Sequence, residues 1–250
     1  MDLFFCHIQK TGGLSFQKIL KDVYGQDNCF DIVDVFVDRE RFESKESRII
    51  YGHAPYDLVK LLSPDCTIIS IFRDPVERII SYWKYVIREN QDVKVRPLFK
   101  EKRFESIIHS SLFIGCLDHQ TKVIGSEIDF FGLLEKIKSI KDPQRKVEVW
   151  SEEYNLLFNS ILYHSCNDGI FKRAMRRIEK IQVVDFRQYF KGINSILNRL
   201  HINQTIPPLL NRSPFDQSTV LDTFAGVFDL RQLNKYDNEL YNHVSNNWRV

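Results

Sequence analysis

The 250-residue sequence contains no apolar run approaching the roughly 18 residues that a membrane-spanning helix requires. Its short apolar opening, Leu3 to Cys6, lacks the basic flank and the length of a secretory signal, so a soluble, cytoplasmic protein with no transmembrane segment is expected. An excess of one charge sign is also missing. Thirty-five Lys and Arg stand against 33 Asp and Glu, a formal net charge of +2, and no global field singles out nucleic acid or an anionic membrane as partner. Any anion site must therefore be local. Cysteine is sparse and scattered: Cys6, Cys29, Cys66, Cys116 and Cys166 are odd in number and form no C-x-x-C pair, which argues against a disulfide scaffold or a zinc knuckle and favours a reducing compartment. His109, His119, His164, His201 and His243 show no ligand spacing such as H-E-x-x-H, and no metal site is expected. Repeats and low-complexity tracts are absent as well. What remains, 43% hydrophobic and 27% charged, is long enough to bury a large core, and one domain over residues 1–250 is expected.

The chain reads as strands alternating with helices. Leu3 to Ile8 is a continuous apolar segment suited to a strand buried on both faces, and the polar turn Gln9-Lys10-Thr11-Gly12-Gly13 follows it. Leu14, Phe16, Ile19, Leu20 and Val23 then fall near helical spacing, which predicts a helix to about Tyr24. A second unit repeats the order. Cys66 to Phe72 is a β-branched run that ends in Arg73-Asp74-Pro75, with Asp74 as N-cap, Pro75 in the first turn, and Val76, Ile79, Ile80, Trp83 and Val86 or Ile87 forming one apolar stripe. Weaker strands are expected at Ile32 to Val37, Arg48 to Tyr51 and Ile181 to Val184. The middle, about 94–180, is expected to be mostly helical over Arg103 to Ile124, Glu152 to His164 and Phe171 to Lys180, as is Leu230 to Trp248, while Ile206 to Pro214 reads as a proline-containing loop. The basic run Lys172, Arg173, Arg176, Arg177 has little stacking surface beside it and reads as a solvated helix face. This alternation predicts an α/β fold around a mostly parallel sheet flanked by helices, with a helical insertion and ligands at the carboxyl ends of the strands.

Two loops carry phosphate-grade chemistry. Lys10 to Ser15 places a lysine, two glycines and two hydroxyl residues between a buried strand and a helix, so that backbone N–H groups, the positive helix end and the Lys10 charge can hold an anion. The order differs from a Walker A loop, because the lysine precedes the glycines, and no clear acidic residue follows an apolar strand to hold magnesium. Arg73 to Ser81 supplies a guanidinium fork and, further along the helix, a hydroxyl for a second phosphate. Between them lies Tyr51-Gly52-His53-Ala54-Pro55, with a histidine at a strand end, where proton transfer near neutral pH is possible. Each element also has a structural reading: a glycine turn, a helix cap, a histidine that only packs. His7, inside the first strand, reads as a core or supporting residue.

Taken together, these residues resemble a family. His7-Ile8-Gln9-Lys10-Thr11-Gly12-Gly13 with Ser15-Phe16 is similar to the 5′-phosphosulfate loop of sulfotransferases that use 3′-phosphoadenosine 5′-phosphosulfate (PAPS), especially the heparan sulfate 6-O-sulfotransferases among the carbohydrate sulfotransferases. Phe72-Arg73-Asp74-Pro75-Val76-Glu77-Arg78, with Ser81 and Trp83, looks like the 3′-phosphate motif of that family, in the expected order. Weaker echoes are Gln120-Thr121-Lys122, Val183-Val184-Asp185-Phe186, Asn211-Arg212-Ser213, and Tyr236-Asp237 with Leu240-Tyr241. The good resemblance spans about Leu3 to Glu89 and implies a P-loop-like three-layer α/β fold, with 94–180 a divergent region on the acceptor side.

The resemblance also implies site residues: Lys10, Thr11, Gly12, Gly13 and Ser15 at the 5′-phosphosulfate, Arg73 and Ser81 at the 3′-phosphate, and Asn211, Arg212 and Ser213 in a late loop closing on the nucleotide. His53 stands where the family places its catalytic base, and Lys10 would stabilise the leaving oxygen. Trp83 and Tyr85 stand on the helix that lines the acceptor cleft, Tyr85 where the 6-O enzymes are expected to carry histidine. The implied activity is metal-independent transfer of a sulfuryl group from PAPS to a hydroxyl of a carbohydrate or similar acceptor, releasing adenosine 3′,5′-bisphosphate (PAP). Two alternatives stand beside it: a P-loop kinase of small molecules, and a module that binds phosphonucleotides without turnover.

Overall fold

A computed structural model of the chain describes residues 1–89, 104–202 and 228–247. Five strands, β1 (Asp2–Cys6), β2 (Cys29–Asp31), β3 (Arg48–Gly52), β4 (Thr67–Phe72) and β5 (Gln182–Asp185), form one sheet in the order β2-β3-β1-β4-β5. Every neighbouring pair is parallel. The central strand β1 is buried at all five positions, Asp2 by pairing with Arg48 and Leu3 to Cys6 as an apolar run whose side chains divide between two cores. Leu3 and Phe5 pack on one face with Phe16, Ile19 and Leu20 of α1 (Gly13–Tyr24). Phe4 and Cys6 pack on the other with α2 (Ile32–Val37), which is followed directly by α3 (Arg39–Glu43). The result is the α/β architecture that the alternation predicted, in the three-layer, P-loop-like form that the resemblance implied. Both βα units hold: β1 runs into α1, and β4 runs into α4 (Pro75–Glu89), which Asp74 caps by accepting from the backbone N–H of Val76 at 3.0 Å and Glu77 at 3.2 Å.

The segment Ile32 to Val37 differs from expectation, being a helix. Asp31 and Asp34 close a reciprocal capping box, with Asp31 N–H donating to Asp34 Oδ2 at 2.8 Å, and Ile32, Val35 and Phe36 bury one face at helical spacing. The β-branched composition favoured a strand, but only Cys29–Asp31, just upstream, pairs with β3. The expected helix over Arg103 to Ile124 is instead three short ones, α5 (Phe104–Ile108), α6 (Ser111–Cys116) and α7 (His119–Gly125). Ser110 caps the second, and a left-handed Asp118, φ 47°, turns the chain into the third. Next come α8 (Phe130–Lys138), α9 (Pro143–Leu162), α10 (Asp168–Ile178), α11 (Tyr189–Arg199), α12 (Leu230–Leu233) and α13 (Lys235–Asn247). The expected loop at Ile206 to Pro214 lies outside the described residues. Among those described, no helix is long and apolar enough to cross a membrane.

The basic run on α10 is only half a solvated face. Lys172 and Arg176 are exposed, but Arg173 and Arg177 turn inward. Arg173 Nε donates to the Gly125 carbonyl at 2.8 Å, and Arg177 donates to the carbonyls of Ile124 and Ser126 at 2.8 and 2.7 Å. These cations satisfy backbone acceptors at the C-terminal end of α7, where a helix leaves carbonyls unpaired and carries partial negative charge. Arg177 also meets Asp57, which is fully buried and accepts in addition from Lys60 Nζ and Ile128 N–H, both at 2.9 Å. Removing the carboxylate would leave a guanidinium that is only 14% exposed without its anion. Asp57→Ala is therefore expected to destabilise the fold by about 3 kcal/mol, read as a lower urea midpoint at unchanged slope. A midpoint within error of the parent would show that the pair contributes nothing.

Candidate active site

The candidate site begins where β1 gives way to α1. Lys10 is left-handed at φ 69° and Gly12 at φ 84°. A Cβ on Gly12 would lie 2.8 Å from the Phe186 ring, and one on Gly13 would lie 2.0 Å from the His7 ring, so both positions must be glycine for the turn to close against its neighbours. Thr11 is buried and its hydroxyl donates to the Ile8 carbonyl at 2.8 Å; Ser15 is buried, with its N–H donating to the Gly12 carbonyl at 3.3 Å. Among the described residues no side chain caps α1, and no acidic residue lies in its first turn. The positive end of a twelve-residue helix thus faces the turn without a neutralising carboxylate of its own, as an anion site requires.

Arg73, at the end of β4, reaches the same loop. Its Nη1 donates to the Lys10 carbonyl at 3.4 Å, its Nε pairs with Glu77 at 3.2 Å, and its guanidinium lies 4.5 Å above the Phe186 ring. Lys10 Nζ lies 4.4 Å above the Tyr85 ring of α4. Two cations 63 positions apart therefore converge on one glycine turn. Ser81 is half-buried further along α4. Trp83 does not line a cleft: it is wholly buried among Ile79, Val86, Ile107 and Phe113, because the apolar stripe of α4 faces inward at that position. It supports the helix from behind, while Tyr85 on the same helix faces Lys10. Asn211, Arg212 and Ser213 lie outside the described residues.

His53, just beyond β3, joins the loop from the other side. Its Nδ1 lies 3.0 Å from the His7 carbonyl, which can only accept, so Nδ1 carries the proton and Nε2 keeps its lone pair. The two rings are 4.3 Å apart. The His53 side chain is open to solvent yet sits in a hollow thick with protein. That burial pulls its pKa below the usual 6.5; the hydrogen bond to His7 and the Asp31 carboxylate oppose the shift, and the Lys10 ammonium adds to it. Because the ring reaches water, the shift is modest in consequence, and it leaves His53 neutral near pH 7. His7, buried beneath it, is held well below the ordinary histidine range by burial first and by His53 and Lys10 next.

Several residues here had no place in the reading of the sequence as site residues. Gln120 of α7 clasps the Arg73 backbone on both sides, its Oε1 accepting from Arg73 N–H at 3.0 Å and its Nε2 donating to the Arg73 carbonyl at 2.9 Å. Asp237 of α13 caps α7 from a distance, accepting from the N–H groups of Gln120 and Thr121 at 3.1 and 2.7 Å. Tyr154 of α9 donates to the His53 carbonyl at 2.5 Å, and burial keeps its phenol protonated. The only signal for Gln120 and Asp237 was their place in the weaker echoes of the family; Tyr154 gave none. Among the described residues, no cluster of three or more His, Cys, Asp or Glu could hold a metal ion.

No curated protein matches the chain. Among solved structures, a sulfotransferase from Alicyclobacillus acidocaldarius is similar over 94% of this chain and 95% of its own, at 12% identity and a TM-score of 0.41. Residues 1–145, which contain the glycine turn, His53, Arg73 and Gln120, match the sulfotransferase family. That match covers more than half of the 250 residues, and the chain belongs to the sulfotransferase family, whose chemistry is the transfer of sulfuryl groups from, in general, PAPS.

Proposed function

We propose that this chain transfers the sulfuryl group of PAPS to a hydroxyl of a carbohydrate acceptor, with His53 as general base and no metal ion. The observation that carries the reading is the His53 tautomer. With Nδ1 held against the His7 carbonyl and a pKa pulled below 6.5, Nε2 is an unprotonated base beside the loop where two cations converge. The loop itself fits the donor. α1 begins without a side-chain cap of its own, and Lys10 and Arg73 supply positive charge.

In this reading the donor, when bound, supplies the sulfuryl group and the nucleotide on which the leaving charge develops. Thr11, Gly12, Gly13 and Ser15 hold its 5′ end, and Arg73 with Ser81 holds its 3′-phosphate. His53 Nε2 takes the acceptor proton as the hydroxyl attacks, and Lys10 faces the oxygen that gains charge. Tyr154 and His7 fix the His53 backbone and ring so that the lone pair stays aimed. A sulfuryl group carries less charge than a phosphoryl group, so two side-chain cations suffice where phosphoryl transfer needs magnesium. The lysine-before-glycine order speaks against the kinase alternative, and an unprotonated histidine beside the cradle speaks against a module that only binds. Residues 1–250 then work as one domain, with 94–180 on the acceptor side and Tyr85 facing the cleft.

His53→Ala is expected to lower sulfuryl transfer by about 10² to 10⁴ while PAP affinity stays nearly unchanged; equal loss of PAP binding would remove the base role. In the parent, kcat/KM should rise with pH as His53 loses its proton. Since its free pKa is lowered, the acid limb should bend below pH 6.5 and the profile should be flat through pH 7. A limb centred above 6.5 would contradict the assignment. PAP without metal, near 100 times its dissociation constant, should stabilise the protein by about 2.7 kcal/mol in a thermal shift, and Mg-ATP should not. Lys10→Ala should mainly slow transfer and Arg73→Ala should mainly weaken PAP; the reverse pattern would exchange their sites.

A further inference from the structure

Arg73 stands one residue beyond the sheet. The pairing of β4 with β1 ends at Ile69 opposite Phe5, and its pairing with β5 ends at Phe72 opposite Asp185. Along an extended chain the N–H and C=O of one residue point to the same side, where a neighbouring strand takes both. At Arg73 a side chain stands in for that neighbour. The Gln120 amide accepts from Arg73 N–H through Oε1 at 3.0 Å and donates to the Arg73 carbonyl through Nε2 at 2.9 Å, so one planar group holds the two peptide units that flank the Arg73 Cα. Gln120 is fully buried. Its own N–H is tied to Asp237 at 3.1 Å, and the same carboxylate holds the next N–H, that of Thr121, at 2.7 Å. The clasp is short, two-pronged and anchored in a buried helix.

The guanidinium is held far more loosely than the backbone that carries it. Its bond to the Lys10 carbonyl, at 3.4 Å, is at the long end of the hydrogen-bond range. Its partner Glu77 has a side chain 49% exposed, and an ion pair so open to water restrains a long side chain weakly. The Phe186 ring, 4.5 Å away, covers one face of the fork without setting its rotation in its own plane. Placement of Arg73 therefore comes through its backbone, which Gln120 fixes. The Cα–Cβ direction follows from the two clasped peptides, and a small rotation there is magnified along the side chain. An arginine fork gains its strength on a phosphate only when both N–H vectors meet the oxygens together.

We propose that Gln120 is a positioning residue that sets the preference of this site for a donor bearing a 3′-phosphate: it holds the Arg73 peptides so that the guanidinium fork meets that phosphate, and it takes no part in holding the 5′ end. The inference rests on the reading that places Arg73 at the 3′-phosphate, and adds to it a residue that acts only through Arg73.

The test measures by calorimetry the dissociation constants of PAP and of adenosine 5′-phosphosulfate (APS), which has the 5′ end of the donor and lacks its 3′-phosphate. The proteins are the full chain, Gln120→Met, Gln120→Asn, Arg73→Ala, and each Gln120 variant combined with Arg73→Ala. Methionine has nearly the length of glutamine and makes neither bond; asparagine keeps the amide but is one methylene too short to reach both groups. Gln120→Met is expected to weaken PAP by about tenfold, the worth of one misplaced charge-assisted hydrogen bond, and to leave APS within about twofold of the parent. Gln120→Asn should fall between the two. In the Arg73→Ala background neither substitution should lower PAP affinity further, since a residue that acts through the guanidinium has no effect once it is gone. Equal weakening of PAP and APS, or PAP losses that add in the double variants, would mark a merely structural role and overturn the proposal. Parental PAP affinity in both single variants overturns it as well. Where Gln120→Met lacks a cooperative thermal transition, Gln120→Asn carries the same comparisons, and where APS is too weak to read, the double-variant cycle on PAP decides. Failure of the parent to bind PAP, or parental PAP affinity in Arg73→Ala, would instead strike the donor reading, so the two failures are distinguishable.

Discussion

Between the last residue of β1 and the first turn of α1 the backbone has no room for a Cβ at two consecutive positions, and most of the candidate site depends on that crowding. Gly12 turns left-handed under the Phe186 ring, and Gly13 lies against the His7 ring. The cap position of α1 is Gly12 itself, so the helix begins with no side-chain cap of its own. The carbonyl of Lys10, carried by the same turn, gives Arg73 a hydrogen-bond partner and so brings the end of β4 to the end of β1. His53 is aimed by the His7 carbonyl one step upstream. One tight turn thereby gathers three strand ends, which is why a parallel α/β sheet concentrates its chemistry at the carboxyl edge.

The helix α7 plays the supporting part on the other side of Arg73. It is buried along its whole length, polar residues included, and the chain invests in its ends. Asp237 accepts from its first N–H groups; Arg173 and Arg177 donate to its last carbonyls. Lys122 reaches the carbonyls of Ile114 and Leu162 at 3.1 and 2.9 Å. Asp118 sits beside Asp237, and burial followed by that neighbouring carboxylate pushes its pKa up to about 6. With both ends anchored, Gln120 can clasp the Arg73 backbone without itself moving.

Where the sequence was legible, the reason was local. The strand β1 reads as buried because four apolar residues in a row, Leu3 to Cys6, suit a strand covered on both faces, and the cap at Asp74 reads from an Asp-Pro pair before an apolar stripe. Ile32 to Val37 misled because β-branched residues favour strands on average, whereas the capping box at Asp31 and Asp34 decided for helix. Trp83 misled for a different reason. Sequence position told which helix carries it, but the direction it faces is set by rotation of α4 against α6, where it is sealed in apolar side chains.

What the sequence determined by itself was therefore the set of local units: two strand-turn-helix elements with phosphate-grade cations, a histidine between them, and a motif order specific enough to resemble one family. The tertiary structure alone decided which of these meet. The Lys10 to Arg73 contact, the His53 tautomer and the clasp of Gln120 each join residues 46 to 63 positions apart. Hydrogen bonding and desolvation act through space, and neither leaves a periodicity or a spacing in the chain from which it could be read.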